Sequence, residues 1–272
     1  MRKKLMVTGC SFSAPSLKPE FAGTSYPEQL AKKLDWDLVQ LARQGMGNGA
    51  IRITIDEILR QRPDFVIVAP TSYDRIEIPA NKEQHYDWNK TDYTRFWGND
   101  LQEHLLDENL EPGYNPSLGV NNINYGDNNS RLISETIWSL AQGGDHAYRK
   151  GFVDKDTQTA MKYYVNYLYD GLWKKQVDEW IILEGIFELY HAGIPFSLDP
   201  NLLWTPQSIR SRVPQFIPDH YLRIKEHETI TYATNKYELK DKKNDPGYHA
   251  EPESQMYLAD IYVDIIKNQW KL

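Results

Sequence analysis

Ser11 is the side chain best placed for chemistry in this sequence. It stands in Gly9-Cys10-Ser11-Phe12, directly after the short apolar run Leu5 to Val7, where a first β-strand should turn into a loop. Near the other end, His249 closes Gly247-Tyr248-His249 just ahead of a helical C-terminal segment, and Asp245 precedes it closely. A serine hydroxyl becomes a nucleophile when a base takes its proton, a third group orients that base, and donors aim at the developing oxyanion. Ser11, His249 and Asp245 supply those three types. Each also has a plainer role: Ser11 as a turn residue bonded to its own backbone, Asp245 as the cap of the Pro246-Gly247 turn, His249 as a loop surface residue.

The candidate oxyanion donors lie between these ends. Gly45, Gly47 and Asn48 sit in a glycine-rich loop, and glycine lets backbone approach a ligand closely. Asn48 serves equally as the N-cap of the helix that follows. Thr71 and Ser72 follow another strand end, and Cys10, grouped with these oxyanion and substrate-contact candidates, reads either as a nucleophile in its own right or as a small packed residue. Gly45 to Gly49 also invites a phosphate-loop reading, although it lacks the dinucleotide fingerprint and the Lys-Ser/Thr of a P-loop. Of the seven histidines, His85, His104 and His146 fall in a middle insertion, His191 suits a helix C-terminus, and His220 and His227 are rivals to His249 as base. No His or Cys pair has metal-ligand spacing, so no metal and no cofactor is expected.

These residues need a scaffold that brings strand ends together. Leu5 to Val7 and Phe65 to Ala69 read as buried strands, with Leu38, Val39 and Leu41 as a short strand between them. They alternate with a helix opened by the capping box Ser25 to Glu28 and running through Leu34, and with a second helix carrying Ile51, Ile55, Ile58 and Leu59 inward. Short connections of this kind give a parallel, doubly wound sheet with its ligand site beyond the carboxyl ends of the strands. Ser11, Gly45 to Asn48, and Thr71 with Ser72 therefore belong to one rim.

From about residue 80 to 156 the pattern loosens into a segment rich in Asn, Asp, Gly, Trp and Tyr, read as an insertion in a single domain. Ser130 to Leu140 is predicted helical within it. Thr157 to Tyr169 and Leu172 to Ala192 resume helical periodicity, and Gly193 stops the helix before a strand ending at Leu198. A last helix is predicted from Pro252 to Lys267, with Met256, Ala259, Val263 and Ile266 on its inner side.

Composition sets bounds. The 272 residues carry a net charge of -7 with no strong basic cluster, which argues against nucleic-acid binding. No apolar run is long enough to span a bilayer, and the stretch behind Arg2 to Lys4 is too short for a signal peptide. The single cysteine excludes an internal disulfide. The 18 tyrosines and 8 tryptophans supply packing or stacking surfaces.

The chain resembles the SGNH, or GDSL-type, hydrolases. Val7-Thr-Gly-Cys-Ser-Phe12 looks like their first block, with Ser11 as nucleophile and Cys10 where aspartate is commoner. Leu41-Ala-Arg-Gln-Gly-Met-Gly-Asn48 looks like the second block, whose glycine gives an oxyanion amide. Asp245 to His249 before a helix looks like the last block, one residue wider than usual. The third block departs: Ala69-Pro-Thr-Ser-Tyr-Asp74 stands where Gly-x-Asn-Asp is expected, so Thr71 or Ser72 would replace an asparagine donor. Losing one such donor typically lowers the rate by on the order of 100-fold or more.

The resemblance implies a three-layer α/β/α flavodoxin-like fold with a parallel sheet. It also implies a cofactor-independent esterase for acyl or O-acetyl groups, with carbohydrate esters favoured by the aromatic-rich insertion. The register is similar to small SGNH-like proteins of tailed phages, implying cytoplasmic or virion-associated placement. In a second reading the fold persists without chemistry, as a binding module within a homo-oligomer or a virion assembly.

Overall fold

A computed structural model describes residues 2–15, 22–43, 46–81, 123–125, 130–136, 155–236 and 252–272. Asp245, His249 and Gly45 lie outside them, as do His85, His104 and His146.

The apolar runs read from the sequence are strands of one parallel sheet. It comprises β1 (Lys4–Gly9), β2 (Asp37–Gln40), β3 (Phe65–Ala69) and, last in the chain, β7 (Phe196–Leu198), in the order β2-β1-β3-β7. β1 pairs with β3 from Leu5 opposite Phe65 to Gly9 opposite Ala69. An isolated parallel bridge, Leu198 to Leu222, extends the pairing beyond β7. Every residue of β3 is buried, as expected for a strand covered on both faces.

Alternation along the strands separates two apolar layers. Met6, Val66 and Val68 face α2 (Asn48–Gln61) and a long helix, α4 (Gly171–His191), whose Ile182, Ile186 and Leu189 meet Ile51, Ile55 and Ile58 of α2. Leu5, Val7, Phe65 and Ile67 face α1 (Tyr26–Leu34) and the C-terminal α7 (Pro252–Asp264), where Tyr26, Leu30, Leu258 and Tyr262 pack. Helices thus cover both faces of the sheet. Shorter helices complete the described set: α3 (Lys155–Tyr163), α5 (Pro206–Arg212) and α6 (Ile230–Lys236).

The predicted capping box forms. Glu28 accepts a hydrogen bond from the Ser25 N–H at 3.0 Å, and Pro27 occupies the first turn of α1. Asp35 and Arg62, both with left-handed φ, terminate α1 and α2.

Two expectations are corrected. Ser130–Thr136 is a strand, β6, not the start of a helix; it pairs antiparallel with β4 (Arg75–Asn81) and with β5 (Ile123–Tyr125). Leu132 and Ile133 fit either periodicity, and a partner strand decides between them. In α7, Met256 points to solvent, whereas Leu258, Ala259 and Tyr262 are buried. The helix then loosens into a π-helical turn, Ile265–Gln269, that turns both Ile265 and Ile266 inward. α3 likewise ends in a π-helical turn, Tyr164–Leu168. No helix among the described residues is long and apolar enough to cross a membrane.

Candidate functional site at the carboxyl ends of the strands

The chain passes from β1 outward to β2 and then returns to β3 on the opposite side of β1. The strand order reverses there, and in open α/β sheets the crevice at such a reversal is where ligands bind. Ser11 follows β1 and Thr71 follows β3, so the two loops flank that point.

The Ser11 turn is held from several sides. The amides of Ser13 and Ala14 both donate to the Cys10 carbonyl, at 3.0 and 3.1 Å. The Ser13 hydroxyl is hydrogen-bonded to the Tyr26 hydroxyl at 2.9 Å, and Gln40 donates to the Ser13 carbonyl. Burial pushes the Tyr26 phenol well above its ordinary value, so it stays neutral. Gly9 has a steric role, since a Cβ on it would lie 2.8 Å from the Ala69 carbonyl oxygen. Ser11 itself is nearly buried, and its hydroxyl has no hydrogen-bond partner among the described residues. Cys10 is buried behind it, which fits packing and not nucleophilic attack.

The loop after β2 runs back along β1. Leu41 and Ala42 donate to the Val7 carbonyl, and Arg43 donates from its amide to Gly9. The Arg43 guanidinium caps the Gln40 and Ala42 carbonyls at 2.8 and 2.9 Å; burial lowers its pKa to about 10. Gly47 is the N-cap of α2, and Asn48, expected as a cap, has another task. Its Oδ1 accepts from the Thr71 N–H at 2.9 Å, while its Nδ2 donates to the Thr71 carbonyl and to Asp178 of α4, both at 3.0 Å. Both amide hydrogens are therefore spent inside the protein, and Asn48 positions the Thr71 loop. Ser72 donates its hydroxyl to Asp74, and the Thr71 hydroxyl accepts from Arg75 at 3.3 Å. No described group accepts a hydrogen bond from the backbone N–H of Ser11 or of Gly47.

A carboxylate fills the place read as a phosphate loop. Glu77 of β4 accepts from the Gly49 and Ala50 amides, each at 2.8 Å, at the positive end of α2. A Cβ on Gly47 would come within 2.5 Å of the Glu77 carboxyl carbon, so this glycine makes room for Glu77. Burial raises the pKa of Glu77, an effect the two amides partly oppose, and burial likewise raises that of Asp178. Lys174 forms an ion pair with Asp178 and offsets part of the negative charge. No group of three or more metal-ligating side chains occurs among the described residues.

Sequence reasoning missed the loop after β7. The Asn201 backbone has a left-handed φ of 42°, tolerated by asparagine. Its Nδ2 donates to the Pro70 carbonyl at 2.6 Å and to the Cys10 sulfur at 3.6 Å, joining the Ser11 and Thr71 loops. Asp199 holds this turn: one oxygen accepts from the Asn201 N–H at 2.8 Å, and the other accepts from the Ile230 N–H at 3.0 Å and the Tyr262 hydroxyl at 3.4 Å. Complete burial pushes the Asp199 pKa up to about 6, against these hydrogen bonds and the nearby positive charge of buried Arg223. Arg223 in turn donates to the His220 carbonyl at 2.6 Å and contacts Glu228. The signal was legible: Asp199-Pro200-Asn201 follows a strand end, by the same positional logic that singled out Ser11. His220 and His227 lie in single 3₁₀ turns, Asp219–Tyr221 and Glu226–Glu228.

Asn48→Ala should lower the unfolding free energy by about 2–4 kcal/mol, because it leaves the Thr71 N–H and carbonyl and the Asp178 carboxylate short of partners in a buried place. Urea denaturation reads this as a lower midpoint at unchanged slope. An unchanged midpoint would mean that the clamp is not formed.

Comparison of the chain with protein-family models, with curated proteins and with solved structures finds no match.

Proposed function

We propose that this protein is a serine-dependent ester hydrolase of the SGNH type, acting on acyl or O-acetyl esters, with carbohydrate esters as the substrate class. The observation that carries the reading is the Ser11 hydroxyl, without a hydrogen-bond partner among the described residues, on a pinned turn where the order of a parallel sheet reverses. The order β2-β1-β3-β7, the bridge at Leu222 and helices on both faces suit a flavodoxin-like fold. In this reading Ser11 attacks the ester carbonyl, His249 takes its proton and returns it to the leaving alcohol, and Asp245 orients the imidazole. The N–H groups of Ser11 and Gly47, from which no described group accepts a hydrogen bond, are the donors offered to the oxyanion. Thr71 and Ser72 border the same crevice, and in this reading neither metal nor cofactor takes part.

A fluorophosphonate probe tests it. Covalent labelling of the wild type, lost in both Ser11→Ala and His249→Ala, is the expected result; labelling that survives Ser11→Ala sinks the assignment. The second reading, a binding module that keeps the fold without the chemistry, is favoured by the internal commitment of Asn48, Thr71 and Ser72. It predicts a folded wild type that the probe never labels.

A further inference from the structure

We propose that Glu77 is the positioning residue for the oxyanion donor at Gly47, capping α2 from a distant strand in place of the side chain that Gly47 lacks. This assignment rests on the ester-hydrolase reading above. A helix begins with backbone N–H groups that have no partner within it, and a Ser, Thr, Asp or Asn at the N-cap ordinarily accepts from the second or third of them. Gly47 holds the N-cap place of α2 with extended backbone, φ -88° and ψ 174°, and offers no side chain. The two donors are met from β4 instead: Gly49 donates to Glu77 Oε2 and Ala50 to Oε1, each at 2.8 Å. One carboxylate thus takes both N–H groups between which an N-cap side chain would have to choose.

The glycines are fitted to it. A Cβ on Gly47 would stand 2.5 Å from the Glu77 carboxyl carbon and 2.6 Å from Oε1, and one on Gly49 would stand 2.7 Å from Oε2. The end of a glutamate side chain ordinarily swings aside at little cost, but this one cannot move without giving up two hydrogen bonds. Gly49 lies inside α2, where glycine is a poor helix former, and clearance for Glu77 accounts for it there. A second tie comes from the same segment. Asn48 bonds to both the N–H and the carbonyl of Thr71, so the first three helical residues of α2 are bound to both ends of the stretch Thr71 to Glu77. On the other side Met46 is fully buried, and the Gly47 carbonyl accepts from Ile51 at 3.0 Å. The peptide that carries the Gly47 N–H is therefore held between a buried side chain and a capped first turn. An oxyanion donor acts through a direction fixed before the reaction, and losing the cap frees that direction. Lys174, ion-paired with Asp178, also acts on the Glu77 charge, which limits its repulsion of a developing oxyanion.

Hydrolysis of an aryl acetate by the full chain tests it. Glu77→Ala should lower kcat by at least about 10-fold and change KM by less than about 3-fold, because the donor is used only in the transition state. Adding Gly47→Ser should recover most of that loss: with the carboxylate gone the new Cβ has room, the hydroxyl caps α2 locally, and the backbone N–H at that position remains. A glutamate that only anchored β4 would not be replaced by a hydroxyl at position 47. Glu77→Gln keeps one of the two acceptors and should fall between wild type and Glu77→Ala; it carries the test if the alanine variant does not fold. Unchanged kcat in either Glu77 variant overturns the proposal, and so does a loss that Gly47→Ser leaves uncorrected or a loss confined to KM. A wild type that hydrolyses no ester and takes no fluorophosphonate overturns the ester-hydrolase reading and the proposal together, an outcome distinct from an active enzyme indifferent to Glu77.

Discussion

Ser11→Ala should lower kcat/KM for a simple aryl acetate by at least about 1,000-fold while leaving the thermal midpoint within a degree or two of wild type. Two features separate these effects. The hydroxyl makes no hydrogen bond among the described residues, so its removal leaves none of them with an unsatisfied buried group. The shape of the turn depends instead on the Cys10 carbonyl, the Ser13 hydroxyl and Gln40, none of which the substitution touches. Residual turnover would come from the oxyanion donors and binding alone. A loss of activity accompanied by a large fall in stability would instead make Ser11 a structural turn residue, and equal activity in both proteins would remove it from the chemistry.

Asp199→Asn should reduce both activity and stability, and the loss of stability should depend on pH. An asparagine retains one acceptor oxygen where the carboxylate used two, so its amide group faces either the Asn201 N–H or the Ile230 N–H. A buried donor left unpaired costs about 1–3 kcal/mol. The displaced Asn201 would release the Pro70 carbonyl and the Cys10 sulfur, loosening the turns that carry Ser11 and Thr71.

The sign of the pH effect follows from the raised pKa. Asp199 goes from the ordinary 3.8 to about 6 on folding, so the native state binds the proton more tightly than the unfolded chain. Its favourable contribution is complete below pH ~4 and is lost as pH rises through ~6. At about 1.4 kcal/mol per pH unit, this interval is worth roughly 3 kcal/mol. The stability gap between wild type and Asp199→Asn should therefore be widest near pH 4 and narrow towards pH 7, measured by denaturant unfolding across that range. A gap constant with pH would show that Asp199 titrates normally. Glu77 and Asp178, both raised by burial, act in the same direction, but they are common to both proteins and leave the difference intact.

Asp199 also marks where sequence reading stopped short. Ser11, Thr71 and Asp199 all follow strands, but an Asp-Pro pair after a strand reads locally as a turn, whereas a serine or threonine there offers a hydroxyl for chemistry. Asn48 shows the converse. Its type and position fit an N-cap or an oxyanion donor, and the structure spends its amide on Thr71 and Asp178, residues distant in sequence. The glycine loop was open to a phosphate reading until Glu77, from a strand that the apolar pattern did not reveal, occupied the amides of α2.

What the sequence determined by itself are the local matters: the strands of the parallel sheet, the capping box at Ser25, the helices that flank that sheet and the rim on which Ser11 had to lie. Those follow from hydrophobic period and backbone chemistry over a few neighbouring residues, which act wherever the segment sits. Only the tertiary structure decided which polar groups are spent and which remain free. Asn48, Asp199, Asn201 and Glu77 meet their partners across 23, 31, 131 and 28 residues, and no local pattern encodes such a pairing. The same holds for Ser130–Thr136, whose strand form required β4 beside it. Long-range contacts assign the hydrogen bonds, and among the described residues they leave the Ser11 hydroxyl at the sheet's reversal without one.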